Sequence, residues 1–142
     1  MADTLYLEIV TPEKVLYRGE VKSITGPGAY GELQILPEHA PLFTILEIGK
    51  MFFVLEDGDS EWAAVHSGYL EVLDNRITVL ADRAELAKDI DLDRVLAAKD
   101  RAEGRLKEWA DKSREDKDVI RAQLALTKAL VRKDVVEEHK NI

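Results

Sequence analysis

At 142 residues the chain has room for one domain with an appendage, and about two-thirds of its unfolded surface can be buried. The absence of cysteine excludes disulfides, thiolate metal sites and thiol nucleophiles. A net charge of −8 argues against a nucleic-acid partner, and no apolar run approaches the roughly 20 residues of a membrane span, so insertion into lipid is not expected.

The N-terminus, MADTLYLEIV, has neither a basic region nor a proper apolar stretch behind it. It predicts no signal peptide and a soluble protein facing the cytoplasm. Charge is unevenly spread. Residues 1–83 carry six Lys/Arg against fourteen Asp/Glu, whereas residues 84–142 carry fourteen of each. All four prolines fall within the first 41 residues, and only Gly104 of eight glycines lies beyond Gly68. Two different structures are therefore expected, an antiparallel β-sandwich over 1–86 and an antiparallel two-helix hairpin over 87–142.

Leu5, Leu7 and Ile9 alternate with Tyr6, Glu8 and Val10, the period of a half-buried strand. VLYRGEVKSITG continues with short strand-like pieces that the pattern breaks at Gly19 and Gly26. GPGAYG at 26–31 reads as a turn, because no helix follows it. Gly31 to Leu36 is strand-like again. Pro37 and Pro41, which lack a backbone donor, then bound a stiff loop displaying Glu38 and His39. From Lys50 onward, apolar runs are separated by Asp57-Gly58, Ser67-Gly68 and Asp74-Asn75, which read as hairpin turns.

Beyond residue 87 the period becomes helical. Leu92, Val95, Leu96, Lys99, Ala102, Leu106 and Trp109 share one face, with Asp91 placed to cap and Ile90 and Val95 to staple the start. Ile120, Leu124, Val131 and Val135 mark a second stripe, widened by Val119, Leu126 and Leu130. Ser113, with Asp116 three residues on, suggests the cap of that second helix. Ala98, Ala102, Ala122, Ala125 and Ala129 allow the helices to approach closely but bury little area, so the hairpin is expected to borrow stability from what it docks on.

Enzyme chemistry finds little support. His39, His66 and His139 lack ligand spacing and read as surface or satisfied polar residues. Phosphate-cradling glycine loops and the G-x-S-x-G elbow are absent. Binding or assembly remains.

Five motifs follow one another in order: V-T-P-E-K at 10–14, G-E-L-x-I-L-P-x-H-A-P-L at 31–42, S-G-Y-L-E-V at 67–72, I-T-V-L-A-D at 77–82 and I-D-x-x-R at 90–94. Together they resemble the ε subunit of the F-type rotary ATP synthase, over essentially the whole chain. Gln34 and Tyr69 depart from that pattern, standing where the family usually has glycine. The resemblance implies a non-catalytic central-stalk subunit, peripheral on the cytoplasmic face of a bacterial membrane, that requires no cofactor. Its sandwich would lie against γ and, through a loop carrying Glu32, Glu38 and His39, on the c-ring. The hairpin would fold against the sandwich or extend along γ toward the α and β subunits, blocking ATP hydrolysis when extended. Arg121, Lys128, Arg132 and Lys133 would then meet acidic residues of β.

In some bacterial members the contracted hairpin binds ATP. Matched residue by residue, this chain offers Glu85, Ile90, Asp91, Arg94, Arg101 and Arg132, with Lys128 where an arginine is expected and Val95 where the motif has alanine. Overpacking by valine and the loss of a bidentate fork predict ATP binding that is weak at best. The alternative reading is a free-standing ATP-sensing module, and co-purification with γ, α and β separates the two.

Overall fold

The computed structural model describes residues 3–140; the outermost residues of the two expected segments, 1–2 and 141–142, lie outside the described residues. Seven strands come first: β1 (Leu5–Val10), β2 (Val15–Gly28), β3 (Gly31–Ile35), β4 (Leu42–Leu55), β5 (Ser60–Leu73), β6 (Arg76–Ala81) and β7 (Ala84–Leu86). A short 3₁₀ turn at Ala87–Asp89 leads to helices α1 (Leu92–Glu108) and α2 (Lys117–Lys140).

The hydrogen-bonded order is β1-β6-β5-β4-β2-β3. Because β1 also pairs with β2, the first five close into a flattened ring, with β3 and β7 added at its margins. β1 runs parallel to β6, Leu7 facing Ile77, and antiparallel to β2. The alternation read from the sequence sends Leu5, Leu7 and Ile9 inward, where they are fully buried with Phe53, Leu70 and Val79.

The turns at Asp57-Gly58 and Asp74-Asn75 form as expected. Asp74 and Asn75 take φ of 49° and 61°, the conformation of a two-residue hairpin loop. Two other expectations are corrected. β2 runs unbroken through Gly19 and Gly26, since β1 on one stretch and β3 and β4 on the other supply ladder partners throughout. Ser67-Gly68 is no hairpin turn but a kink inside β5. There β5 leaves β6, with Gly68 opposite Ala81, and joins β7, with Val65 opposite Ala84. Hydrogen bonds from Asp82 N–H to the Ser67 carbonyl (3.0 Å) and from His66 N–H to the Arg83 carbonyl (2.8 Å) carry the ladder across the corner.

Asp91 caps α1 as the sequence suggests, its carboxylate accepting from Arg94 N–H at 3.3 Å. The second cap differs. Asp116, not Ser113, immediately precedes α2 and accepts from Asp118 N–H at 2.9 Å, while Ser113 accepts from Glu115 N–H within the connecting turn. Between the helices Ala102, Ala122 and Ala129 are buried, but Ala125 faces water.

α2 has two working faces. Val119, Ala122, Ala129 and Val136, buried on one flank, share a helical face toward α1. The predicted stripe forms the other, and only its C-terminal half finds cover: Val135 is fully buried and Val131 partly so, whereas Ile120 and Leu124 remain 48% and 43% exposed. The 24-residue helix is about 36 Å long, and its first turns, which carry Ile120 and Leu124, are the uncovered part of the stripe.

Candidate functional site

The hairpin docks through α2 on the outer face of β4 and β5, opposite the core. Alternation along β5 decides which residues meet it. Ala63 and Val65 enter the core, so Ala64 and His66 point the other way. The apolar seam is small: Ala64, Ala87 and Val135, flanked by Trp62, Ile90 and Val131. Two salt bridges cross it, Arg132–Glu85 at 2.6 Å and Lys50–Glu138 at 3.7 Å.

His66 corrects the sequence reading. It is only 3% exposed, and neither ring nitrogen has a hydrogen-bond partner among the described residues. Burial, and after it the Arg132 guanidinium, push its pKa down to about 4. Trp62 Nε1 and Arg132 Nε are likewise buried without a partner among the described residues. A histidine at an alternate position of the strand WAAVHSG, in phase with Ala64, was the available signal.

Beside this seam lies a cleft of about 580 Å³. Glu85, Ile90, Asp91, Arg94, Arg101 and Arg132, six of the residues matched to an ATP site, all line it. Val95 does too, buried within the hairpin packing. Lys128 does not line it; its charge instead acts on His66. Three of these groups are already engaged, Arg132 and Glu85 by each other and Asp91 by its own helix. The sequence reading missed the opposite wall, built by Thr11, Lys14, Asp82 and Arg83 of the barrel.

The four cations assigned to a β-subunit contact are not equivalent. Arg121 is exposed, Lys128 is half-buried, Arg132 is spent on Glu85, and Lys133 pairs with Glu137 at 3.6 Å. The three residues expected to meet the c-ring also separate. Glu32 stands on β3 beside the turn at 28–31, whereas Glu38 and His39 lie past the strand's other end. Glu38 there has a φ of 69° and donates its N–H to Asn75 Oδ1 at 2.7 Å, joining the proline-bounded loop to the β5–β6 turn.

A second surface was not foreseen. Phe43 and Ile45 of β4, Tyr69 and Leu73 of β5 and Leu80 of β6 alternate with core residues and stand outward. Phe43 is 64% exposed and stacks on Tyr69 at 5.6 Å between ring centroids. Contiguous outward apolar side chains of this kind mark an interaction site.

Comparison with known proteins places these features. Residues 4–87 match the ATP synthase delta/epsilon chain beta-sandwich domain, and residues 88–137 match the long alpha-helix domain of the same chain. The ATP synthase epsilon chain of Desulforamulus reducens is 49% identical over 132 residues, spanning 93% of this chain and 96% of that one. That of Geobacter sulfurreducens is 44% identical over 135 residues, 95% of each. Among solved structures, a chain of the Euglena gracilis mitochondrial ATP synthase (OSCP/F1/c-ring, rotational state 1) shares the fold, with a TM-score of 0.78 at 18% identity, over 100% of this chain and 84% of that one.

Proposed function

Since the chain belongs to the ATP synthase delta/epsilon family, a non-catalytic subunit of that complex, we propose that it is a central-stalk subunit whose hairpin regulates ATP hydrolysis. The barrel packs on γ through the outward face of Phe43, Ile45, Tyr69 and Leu80, which explains why so much apolar surface is left uncovered. Tyr69, a departure from the family's usual glycine, adds its ring to that face. The same face favours an assembled subunit over a free-standing ATP sensor, which would have no use for it. Glu38 and His39 on their stiff loop, with Glu32 at a separate point of contact, meet the c-ring at the cytoplasmic face of the membrane. No described helix is long and apolar enough to cross a membrane.

One observation carries the regulatory reading: the docking seam is weak. A buried valine contributes about 2 kcal/mol, and Val135 is the one large side chain fully buried in the seam. Against it stand His66, Trp62 and Arg132, each with a buried polar atom lacking a partner among the described residues, which offsets part of what the seam gains. The hairpin therefore leaves the barrel at little cost. On leaving, it frees Arg132 from Glu85 and joins it to Arg121, Lys128 and Lys133 as a basic face for the acidic surface of β.

Stopping the chain after Lys88 tests this. The barrel keeps its own closed ring and core, so the truncated subunit should still bind γ. ATP hydrolysis by the assembled enzyme should rise severalfold. Unchanged hydrolysis would make the hairpin a passive cover.

The cleft is the site at which ATP holds the hairpin in its docked form. Val95 fills space where a smaller residue would leave room, and Arg132 must exchange Glu85 for a phosphate. MgATP titrated into the isolated subunit should give NMR shifts that saturate only in the high-micromolar to millimolar range. Val95→Ala should tighten binding about tenfold, the effect of roughly 1.4 kcal/mol of relieved packing. Saturation of the unaltered chain at low micromolar ATP would overturn this reading.

A further inference from the structure

The loop between β3 and β4 is short of backbone donors, since Pro37 and Pro41 have none. His39 N–H turns back on the Leu36 carbonyl at 3.2 Å. The His39 ring donates from Nδ1 to the Ala40 carbonyl at 2.6 Å, which leaves Nε2 for a partner. Glu38 N–H takes another course. It leaves the loop for Asn75 Oδ1, at 2.7 Å and 37 residues away in sequence.

Glu38 is held there against its own preference. Its φ of 69° lies in the left-handed region, which a glutamate seldom adopts and keeps only where its surroundings hold it. Packing against the neighbouring turn does little of that holding. Beside the bond, a cleft of about 250 Å³ lined by Glu38, His39, Pro41, Asp74 and Asn75 separates loop from turn. Asn75 itself is firmly placed. It is the second residue of the tight turn between β5 and β6, where its own φ of 61° belongs, and its carbonyl accepts from Tyr6 N–H at 2.9 Å. The oxygen that holds Glu38 is thus tied to three strands of the closed ring, β1, β5 and β6.

Resting on the c-ring reading above, we propose that Asn75 is a positioning residue for that contact: its side-chain oxygen fixes Glu38, and with it His39, in the arrangement the ring meets. The prolines limit the shape of the loop but do not join it to the barrel. The Glu38–Asn75 bond makes that join. A contact that passes rotation from ring to stalk resists load only while its parts keep their places. Fixing Glu38 before contact also removes the ordering cost that a loose loop meets on binding.

The turn can be kept while the bond is removed. Glycine adopts the positive φ of Asn75 freely and brings no acceptor, whereas aspartate tolerates it and keeps one. The test therefore sets Asn75→Gly beside Asn75→Asp, with Glu38→Ala plus His39→Ala as the reference variant. In the isolated full chain, hydrogen exchange of the Glu38 amide should quicken about fivefold in Asn75→Gly, the effect of losing one hydrogen bond. The core strands should keep their protection. In the assembled synthase in membrane vesicles, protons pumped per ATP hydrolysed should fall in Asn75→Gly as in the reference variant, and hold in Asn75→Asp. Unchanged Glu38 exchange in Asn75→Gly, or its normal pumping beside a loss in the reference variant, would overturn the role of Asn75 alone. Equal pumping losses in Asn75→Gly and Asn75→Asp would overturn it too, since the acceptor would then not matter. Normal pumping by the reference variant would overturn the c-ring reading and this inference together.

Discussion

Gly68→Ala is expected to lower the stability of the isolated subunit by about 4 kcal/mol, the combined cost of a strained backbone and a steric overlap in a packed core. Gly68 sits in the kink of β5 with a φ of 150°. A Cβ there would stand 2.2 Å from the Leu80 carbonyl oxygen and 2.7 Å from the Ala81 Cα, both backbone atoms of the paired strand. Neither can swing aside as a side chain does, because Ala81 is held in register opposite Gly68. Gly58→Ala provides the control. Gly58, at a hairpin tip, also has a positive φ, of 96°, but a Cβ there would meet nothing within 4 Å. That variant should lose only about 1 kcal/mol. Urea unfolding followed by circular dichroism separates the two, and equal losses would show that the close approach of Leu80 is not felt.

Mild acid should release the hairpin while the barrel stays folded. His66 is buried as the neutral imidazole, with its pKa lowered from 6.5 to about 4. The undocked form exposes it and binds a proton near the ordinary value. Docking therefore carries no proton penalty above about pH 6.5, loses stability as the pH falls below that, and stops losing it near pH 4. Each pH unit inside that window costs about 1.4 kcal/mol, so roughly 2 kcal/mol is gone by about pH 5. The groups around the ring agree with the sign. Arg132, Lys128 and Arg83 oppose a proton there, and only Glu85 favours one. Hydrogen exchange of α2, corrected for the intrinsic rate, should show protection falling between pH 7 and pH 5 while the core strands keep theirs. His66→Leu should flatten the dependence. A pH-independent α2 in the unaltered chain would mean that the imidazole finds water when docked.

Much of the architecture could be read from residues whose behaviour is set by near neighbours. The alternation of Leu5, Leu7 and Ile9, the turn residues Asp74 and Asn75, and the cap at Asp91 express local geometry, and each appears where the pattern puts it. Gly19 and Gly26 misled because a glycine weakens a lone strand, whereas β2 is paired along its length. Ser67-Gly68 has the composition of a turn, yet β6 and β7 take up its hydrogen bonds in succession and keep β5 continuous. The stripe on α2 was the right face, but periodicity does not say how far along the helix the cover extends. Of the cleft, the motif revealed the hairpin wall. Lys14 lies far away in sequence, and only the path of the barrel brings it opposite.

The parallel pairing of β1 with β6 also fixes an order of folding. Leu7 must find Ile77, so the strand ring cannot close until most of the barrel sequence has left the ribosome. Pairings this distant in sequence are slow, because the entropy of closing the loop is spent before any contact is gained. The two helices, by contrast, form from local contacts within microseconds. The surface they dock on consists of β4 and β5 held in place by that ring. The hairpin is accordingly the last element to settle, added to a body that is already complete, and its departure retraces only that final step.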